Sequence, residues 1–146
     1  MKLALGVLLG IAWAVPSLGA ELPQQVSGPA LVIDGDGFKI GEHEIRLFGI
    51  DAPEMRGGPQ GLKSRTAMDD LIAGQPVVCE VLNPDRYKRL IAICTAQGRD
   101  LGEAMLEIGW AITYRRFLDG SPVEETYLEA ERQAREAGRG LWAEGQ

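Results

Sequence analysis

Short runs of apolar and polar residues in the first third of the chain predict strands joined by tight turns. Leu31-Val32-Ile33 is an apolar run, while Phe38-Lys39-Ile40 and Ile45-Arg46-Leu47 alternate. Alternation with a period of two is typical of half-buried strands, and the glycine and aspartate residues between the runs are typical of turns. This part of the chain is therefore predicted to form a three-stranded meander.

A second pair of apolar segments, Val77–Leu82 and Leu90–Thr95, flanks the turn signal Asn83-Pro84-Asp85. If these segments pair as a hairpin, Cys79 and Cys94 lie directly opposite each other. Facing residues in antiparallel strands have Cα atoms about 4.5–5.5 Å apart, which is within the range of a disulfide bond. The sequence therefore predicts a Cys79–Cys94 bridge, with two buried free thiols as the alternative.

Two helices are predicted from amphipathic patterns around this hairpin. The first runs from about Pro59 to Ala73, and the second begins at Asp100 with Glu103 as its capping-box partner. The buried side of the first helix is predicted to hold these apolar residues: Leu62, Ala67, Met68, Leu71 and Ile72.

The last helix has a clear predicted start and end. Ser121 stands at the N-cap, Pro122 at the first helical position and Glu124 at the third position of a capping box. Apolar residues then recur at helical spacing until Gly138, which ends the helix. The chain therefore carries three predicted helices.

Five short strands with three interposed helices predict an α+β fold that is mainly β. The pattern fits a five-stranded Greek-key barrel of the oligonucleotide/oligosaccharide-binding (OB) kind, although strand order does not follow from the pattern alone. The chain has 146 residues, which is room for one domain. We assign residues 29–143 to this domain and residues 21–28 to a linker.

The first twenty residues differ in character from the rest of the chain. Lys2 precedes an apolar run from Leu3 to Val15, and small residues follow up to Ala20. This pattern predicts a secretory signal peptide over residues 1–20, with an uncleaved anchor as the alternative. The protein is then expected to be secreted or periplasmic, in the bacterial envelope, where a disulfide bond persists.

The formal net charge is −6. Such a charge excludes a protein that coats nucleic acid non-specifically through its bulk charge. It leaves room for a local basic cleft, because many of the acidic residues concentrate late in the chain: Glu124, Glu125, Glu129, Glu131 and Glu136.

Two aspartates stand where metal ligands are often found. Asp36 lies in a glycine-flanked turn, and Asp51 follows a strand shortly before Pro53. Carboxylates at the ends of neighbouring strands can converge on one cation, and oxygen ligands favour a hard ion such as calcium or magnesium. The alternative is that both aspartates only stabilise turns.

Three further residues suit the hydrolysis of a phosphate ester. The planar guanidinium groups of Arg46 and Arg89 can each bond two phosphate oxygens. The carboxylate of Glu54 can deprotonate a water molecule if it lies within reach. Each residue taken singly also fits a solvated surface charge.

Taken in order, these motifs resemble those of the staphylococcal nuclease (thermonuclease) family. The resemblance covers about residues 29–143, essentially the whole chain after the predicted signal. It rests on four segments in the same order: Val32-Ile33-Asp34-Gly35-Asp36, Arg46 to Glu54, Asp85-Arg86-Tyr87-Lys88-Arg89, and Ala137-Gly138-Arg139-Gly140-Leu141-Trp142.

The resemblance implies calcium-dependent cleavage of DNA and RNA by an OB-fold nuclease. It implies that Asp36, Asp51 and the main-chain carbonyl of Ala52 bind Ca²⁺. It also implies a catalytic set in which Glu54 activates water for in-line attack while the two arginines stabilise the phosphate. The P–O5′ bond then breaks and leaves 3′-phosphate ends.

Two neighbouring residues are expected to contact substrate. Tyr87 matches a tyrosine that stacks on a base in this family. Lys88 replaces a usual glycine, and this either alters the hairpin or adds a phosphate contact. We expect a monomer with no obligate protein partner and, if the signal is cleaved, no stable membrane insertion.

Two alternatives remain open. One is a non-catalytic OB-fold module that binds nucleic acid or protein in the cell envelope. Such a module would be expected to lose Glu54 or an arginine first, and here all are present. The other is a small structural protein of the envelope.

Overall fold

The computed structural model describes residues 21–143, so the predicted signal peptide lies outside the described residues. Within that range the chain forms nine strands and four α-helices. The strands are β1 (Gln25–Gly28), β2 (Ala30–Asp34), β3 (Gly37–Ile40), β4 (His43–Leu47), β5 (Ile50–Asp51), β6 (Val77–Pro84), β7 (Leu90–Ala96), β8 (Arg99–Asp100) and β9 (Ile112–Thr113). The helices are α1 (Pro59–Ile72), α2 (Leu101–Glu107), α3 (Arg115–Leu118) and α4 (Glu124–Glu136).

Seven strands form one sheet in the order β1-β6-β7-β4-β3-β2, with β8 added beside β7. The predicted meander (β2 to β4) and the predicted hairpin (β6 and β7) are both present. They are joined by the parallel pairing of β4 with β7, and all other neighbours are antiparallel. Parallel neighbours need a long crossover, which here contains α1.

The sheet is strongly curled, because β1 at one edge contacts β3 near the other. Helix α1 packs on β2, and α2 packs between β7 and α4. The predicted α+β class is therefore confirmed. The core between these layers contains large side chains with almost no exposure: Phe38, Ile45, Met68, Val77, Leu101, Met105, Leu106 and Tyr127.

The prediction of a linker over residues 21–28 is wrong for its second half. Residues 25–28 form β1, in which Val26 is buried and faces Cys79 of β6. One apolar residue among four gives too little alternation to indicate a strand, so the pairing arises from the partner strand rather than from local pattern.

Helix α1 has about the predicted bounds, and its buried face differs from the prediction at one position. Leu62 is 54% exposed, whereas Ser64 is fully buried. The Ser64 hydroxyl donates a hydrogen bond to the carbonyl oxygen of Trp110, at 2.7 Å. A satisfied hydroxyl can be buried at little cost, so Ser64 belongs to the buried face in place of Leu62. The other residues of this face are buried or pack against the core, as predicted: Ala67, Met68, Leu71 and Ile72.

Of the two later predicted helices, one begins with the predicted cap and the other does not. Asp100 caps α2 as predicted, and its carboxylate accepts hydrogen bonds from the N–H groups of Gly102 and Glu103. The predicted Ser121 cap is wrong, because α4 begins at Glu124 and the Ser121 hydroxyl is buried without a hydrogen-bond partner. The Glu124 carboxylate instead accepts from the N–H of Gly120, at 2.8 Å.

The predicted disulfide bond is present. Cys79 and Cys94 face each other in the β6–β7 hairpin, with their Cα atoms 4.0 Å apart and their sulfurs bonded. Both residues are fully buried, so the bridge joins two central strands inside the core. Among the helices of residues 21–143, none has the length and apolar character needed to cross a membrane.

Candidate active site

A buried carboxylate joins three segments of the chain at one end of the sheet. Asp36 lies in the turn between β2 and β3 and is 6% exposed. Its Oδ2 atom accepts a hydrogen bond from the N–H of Ala52 at 2.8 Å and lies 3.1 Å from Nη1 of Arg46. The turn, strand β4 and the segment after β5 are therefore held together at this carboxylate.

Arg46 bridges the two predicted metal-binding aspartates. It lies in β4 between the buried residues Ile45 and Leu47 and points away from their face, as the alternation predicted. Its Nη2 atom donates to Oδ1 of Asp51 at 3.2 Å, while Nη1 contacts Asp36. One guanidinium group thus brings both carboxylates into the same site.

The two carboxylates have very different environments. Asp51 ends the short strand β5, and its side chain is 57% exposed. Asp36 is enclosed, and burial raises its pKa to about 7 although the positive charge of Arg46 opposes the shift. A hydrogen bond with Asp34 and the negative charge of that residue add to the rise. A cation beside Asp36 would reverse this effect, because it favours the ionised carboxylate.

The donor set at this position fits a hard divalent cation. Asp36 and Asp51 offer carboxylate oxygens, and the adjoining Ala52 offers a main-chain carbonyl, which together match the oxygen preference of calcium. Over residues 21–143 there is no group of three or more His, Cys, Asp and Glu side chains arranged to hold a metal. A cation held here would therefore complete its shell with the carbonyl and water.

Helix α1 fixes the backbone on both sides of this site through two close approaches. A Cβ atom on Gly35 would lie 1.9 Å from the Ser64 hydroxyl oxygen, and a Cβ atom on Gly61 would lie 2.1 Å from the carbonyl oxygen of Glu54. Neither position has room for a larger residue. Sequence reasoning missed both close approaches, because they depend on how the helix docks.

Glu54 lies three residues after Asp51 and begins a short 3₁₀ turn, Met55–Gly57. Its carbonyl accepts from the N–H of Gly57 at 2.9 Å. Its side chain is exposed and forms no hydrogen bond or ion pair with any part of the described chain. The structure therefore fixes the backbone of Glu54 near the aspartates and leaves its carboxylate free in solvent.

Arg89 is aimed by Asp85 in the turn between β6 and β7. The Asp85 carboxylate accepts from Nε of Arg89 at 2.8 Å, and from the backbone N–H groups of Tyr87 at 2.8 Å and Arg89 at 3.0 Å. Burial tends to raise the pKa of Asp85, but the hydrogen bonds from Arg89 and from the backbone outweigh it and lower the pKa. The motif was noted in the sequence, but the orienting role of Asp85 was missed.

Lys88 adopts a left-handed backbone conformation in this turn, with φ of 66°. Residues other than glycine adopt this backbone conformation at some cost in free energy. The conformation is consistent with the usual glycine of the resembled family at this position, and the lysine is exposed.

Arg46 and Arg89 line one cleft of about 530 Å³. Two further arginines, Arg86 and Arg116, also line it, together with three exposed aromatic residues: Tyr87, Tyr114 and Phe117. The rings of Tyr114 and Phe117 meet edge to face with centroids 4.8 Å apart. Four of the predicted residues are not part of the cleft lining: Asp36, Asp51, Glu54 and Lys88. Both aspartates nevertheless contact Arg46, which does line the cleft.

Tyr87 was predicted, but the other two exposed aromatic residues of the cleft, Tyr114 and Phe117, were missed by sequence reasoning. Tyr114 directly precedes α3 and Phe117 lies within it. A helix of four residues is too short to show helical periodicity in the sequence. The available sequence cue was an aromatic residue on each side of Arg115 and Arg116, a composition typical of surfaces that bind nucleic acid.

Comparison with known proteins gives the family of the chain. Residues 44–144 match the family model described as "Staphylococcal nuclease homologue". The chain is 32% identical to the "Succinoglycan biosynthesis protein ExoI" of Rhizobium meliloti (strain 1021), over 94% of this chain and 74% of that protein.

Two further relatives are named as nucleases. The "Probable staphylococcal-like nuclease CAN2" of Oryza sativa subsp. japonica is 38% identical over 71% of this chain and 27% of its own length. An "Uncharacterized endonuclease" of Haemophilus influenzae is 33% identical over 69% of this chain and 54% of its own length. The chain therefore spans about a quarter of the rice protein and half of the Haemophilus protein. On the family match and these identities, this chain belongs to the staphylococcal nuclease family.

Proposed function

We propose that this protein is a calcium-dependent nuclease that hydrolyses phosphodiester bonds in DNA, RNA or both. The observation that carries the proposal is the position of Arg46. This one side chain bridges Asp36 and Asp51 and lines the same cleft as Arg89. The aspartates proposed as metal ligands therefore contact an arginine proposed to bind phosphate, which is the adjacency that in-line attack on a phosphate requires.

In this proposal the two arginines bind the scissile phosphate. Arg46 and Arg89 each present donors to the non-bridging oxygens, so negative charge that builds in the transition state meets fixed positive charge. Calcium, held by Asp36, Asp51 and the Ala52 carbonyl, would supply further positive charge beside the same phosphate. Asp85 keeps the Arg89 guanidinium oriented, since it bonds both the side chain and the backbone of Arg89.

Glu54 is proposed to act as the general base. Its carboxylate is exposed and has no protein partner within the described residues, so it is free to accept a proton from a water molecule. Attack of that water in line with the leaving group breaks the P–O5′ bond. One product keeps a 3′-phosphate, and the departing 5′-oxygen takes up a proton from solvent and becomes a hydroxyl. The close packing of Gly61 against the Glu54 carbonyl fixes the backbone from which this side chain reaches.

The remaining surface of the cleft suits a flexible, single-stranded polyanion. Tyr87, Tyr114 and Phe117 expose ring faces on which bases can stack, and Arg86 and Arg116 lie beside two of these rings. Stacking contributes about 1–3 kcal/mol per base with little sequence preference. The net charge of −6 disfavours non-specific binding over the rest of the surface.

The site of action is proposed to be outside the cytoplasm, in the periplasm or beyond the cell. Two features support this: the signal-like pattern of residues 1–20 and the buried Cys79–Cys94 bridge. Disulfide bonds persist in oxidising compartments. We propose that the exported protein acts as a monomer.

One observation favours a second candidate, a module that binds nucleic acid without cutting it. The Glu54 carboxylate is not part of the cleft lining and contacts neither arginine. If it does not reach the bound phosphate, the arginines and aromatic rings remain as a binding surface.

One assay separates the two candidates. The purified protein is incubated with plasmid DNA and single-stranded DNA, first with calcium and then with an excess of chelator, and binding is measured in parallel. Hydrolysis that requires calcium supports the nuclease. Binding without hydrolysis supports the module, and hydrolysis that survives the chelator contradicts the calcium assignment.

A further inference from the structure

A buried carboxylate that the proposed mechanism does not use bonds the strand that pairs with β5. Glu131 of α4 is 4% exposed. Its Oε1 atom accepts from the backbone N–H of Thr113 at 2.8 Å, and its Oε2 atom accepts from the Thr113 hydroxyl at 3.1 Å. Both oxygens therefore bind one residue of strand β9. Burying a charge in this way is costly unless it is well bonded.

Strand β9 is the sole strand paired with β5 within the described residues. Thr113 faces Ile50, and Ile112 faces Asp51. The N–H of Tyr114 also donates to the carbonyl of Gly49 at 2.8 Å. The backbone that carries Asp51 is consequently held by β9, and β9 is held to α4 by Glu131.

The Asp51 carboxylate depends on the β9 pairing for its position, whereas the Asp36 carboxylate is held by its own contacts. Asp36 is enclosed and bonded to Ala52, whereas the Asp51 side chain is 57% exposed and belongs to a strand of two residues. A two-residue pairing is weak by itself. The position of this ligand therefore depends on what anchors β9.

We propose that Glu131 is a positioning residue for the cation site, acting through Thr113 and the β9–β5 pair to hold Asp51 opposite Asp36. Glu131 does not touch the cation or the substrate. Its charge is balanced from outside by exposed arginines, with Nη2 of Arg135 at 3.6 Å and Nη2 of Arg115 at 3.9 Å from Oε2. This inference rests on the proposed function of Asp51 as a calcium ligand.

A purely structural role for Glu131 predicts lower stability and nothing else. The chain offers a matched control on the same helix. The Tyr127 hydroxyl, also buried, donates to the carboxylate of Asp100 at 2.9 Å and so ties α4 to the start of α2. Tyr127→Phe removes a buried bond of α4 that does not lead to β9, and it keeps the ring.

The experiment compares Glu131→Ala, Glu131→Gln and Tyr127→Phe with the parent protein. Calcium chloride is titrated calorimetrically in the absence of nucleic acid, and backbone amide exchange is measured at β5 and β9 with calcium absent. Partners that orient metal ligands typically change metal affinity 10- to 100-fold. We expect Glu131→Ala to weaken calcium binding by about tenfold, the lower end of that range, because its effect is indirect.

Glu131→Gln keeps an acceptor for the Thr113 N–H, so we expect a smaller loss of affinity. Tyr127→Phe is expected to lower the melting temperature and leave calcium affinity unchanged. Faster exchange at β5 in Glu131→Ala than in Tyr127→Phe would support the proposal. If Glu131→Ala does not fold, Thr113→Val carries the same comparison, since it removes the hydroxyl bond alone.

Equal calcium affinities and equal β5 exchange in the Glu131 and Tyr127 variants would overturn the proposal. Failure of the proposed function is distinguishable from this result. If the parent protein binds no calcium, the metal assignment of Asp51 fails, while the exchange rates at β5 still decide whether Glu131 holds that strand.

Discussion

The Nη1 atom of Arg46 lies 3.1 Å from the Oδ2 atom of Asp36, and the exposed fractions of the two side chains are 12% and 9%. Burying an ion pair costs solvation energy, and the cost is offset only where the remaining polar atoms are also bonded. Here the same Oδ2 atom accepts from the Ala52 N–H, and Arg46 also contacts Asp51. The pair therefore organises the site on which the proposed chemistry depends.

Substitutions can separate the two roles of Asp36, which are the binding of calcium and the hydrogen bond to the Ala52 N–H. Asp36→Asn keeps an acceptor for the Ala52 N–H and removes the negative charge, so we expect a large loss of calcium affinity with a small change in stability. Asp36→Ala leaves the Ala52 N–H and Arg46 without their partner, which costs about 1–3 kcal/mol of unfolding free energy. Calcium titration and urea unfolding measure the two effects, and equal calcium affinity in parent and Asp36→Asn would contradict the ligand assignment.

Gly61→Ala is expected to lower kcat through Glu54. The added Cβ would lie 2.1 Å from the Glu54 carbonyl oxygen, so the segment before α1 has to shift. A shift of this kind costs about 1–3 kcal/mol of stability. Gly57→Ala is the matched control, because its Cβ would meet no atom within 4 Å. Equal kcat values in the two variants, measured below their melting temperatures, would show that the position of Glu54 does not depend on this contact.

Asp85→Asn tests whether Asp85 aims Arg89, and the effect has a defined pH dependence. Because the folded-state pKa of Asp85 is lowered, its ionised form contributes stability that is fully present above the unfolded pKa, at about pH 4. That contribution is lost as the pH falls through the folded pKa. We expect the stability difference between parent and variant to be present at neutral pH and to shrink below about pH 4.

We expect Asp85→Asn to raise the KM for DNA more than the substitution of a control aspartate does, because Arg89 loses its hydrogen-bond partner. Asp70→Asn is suitable, because Asp70 is exposed in α1 and forms no ion pair or hydrogen bond within the described residues. A pH-independent stability difference, or equal KM values for the two variants, would argue against the orienting role.

Removing the Cys79–Cys94 bridge is expected to lower stability without changing the chemistry. The bridge closes a loop of 15 residues, for which the chain-entropy model gives about 3 kcal/mol. The double variant Cys79→Ala/Cys94→Ala, unfolded in urea beside the parent with and without reductant, measures the difference. Its kcat at low temperature should match that of the parent, because both cysteines lie in the core and outside the cleft lining. A lower kcat would show that the bridge also shapes the cleft.

Features of this fold that depend on local pattern were predictable from the sequence. The facing cysteines follow from hairpin symmetry, and the Asp100 cap follows from the residues next to it. Strand β1 was not predictable, because four residues with one buried valine form a strand only when β6 provides the partner. Ser121 looked like a cap by type, yet Glu124 bonds the N–H of Gly120 instead.

The candidate site also contains some features that local sequence shows and others that depend on tertiary contacts. The charged candidate residues were identifiable from short motifs of characteristic order, and three of them, Asp36, Arg46 and Asp51, are in contact. Gly61 and Glu131 were not identifiable in this way, since their importance comes from contacts across 7 and 18 residues with Glu54 and Thr113. Such contacts are set by how helices dock on the sheet, and no local pattern encodes them.

The most direct test of the account is the cleavage rate of end-labelled single-stranded DNA by the parent protein and by Glu54→Gln, each saturated with calcium. Removing a general base slows a reaction by about 10²–10⁴-fold. We expect a loss of that size in Glu54→Gln, nearly unchanged DNA binding, and 3′-phosphate ends on the products of the parent. Cleavage by Glu54→Gln at the parent rate would contradict this expectation.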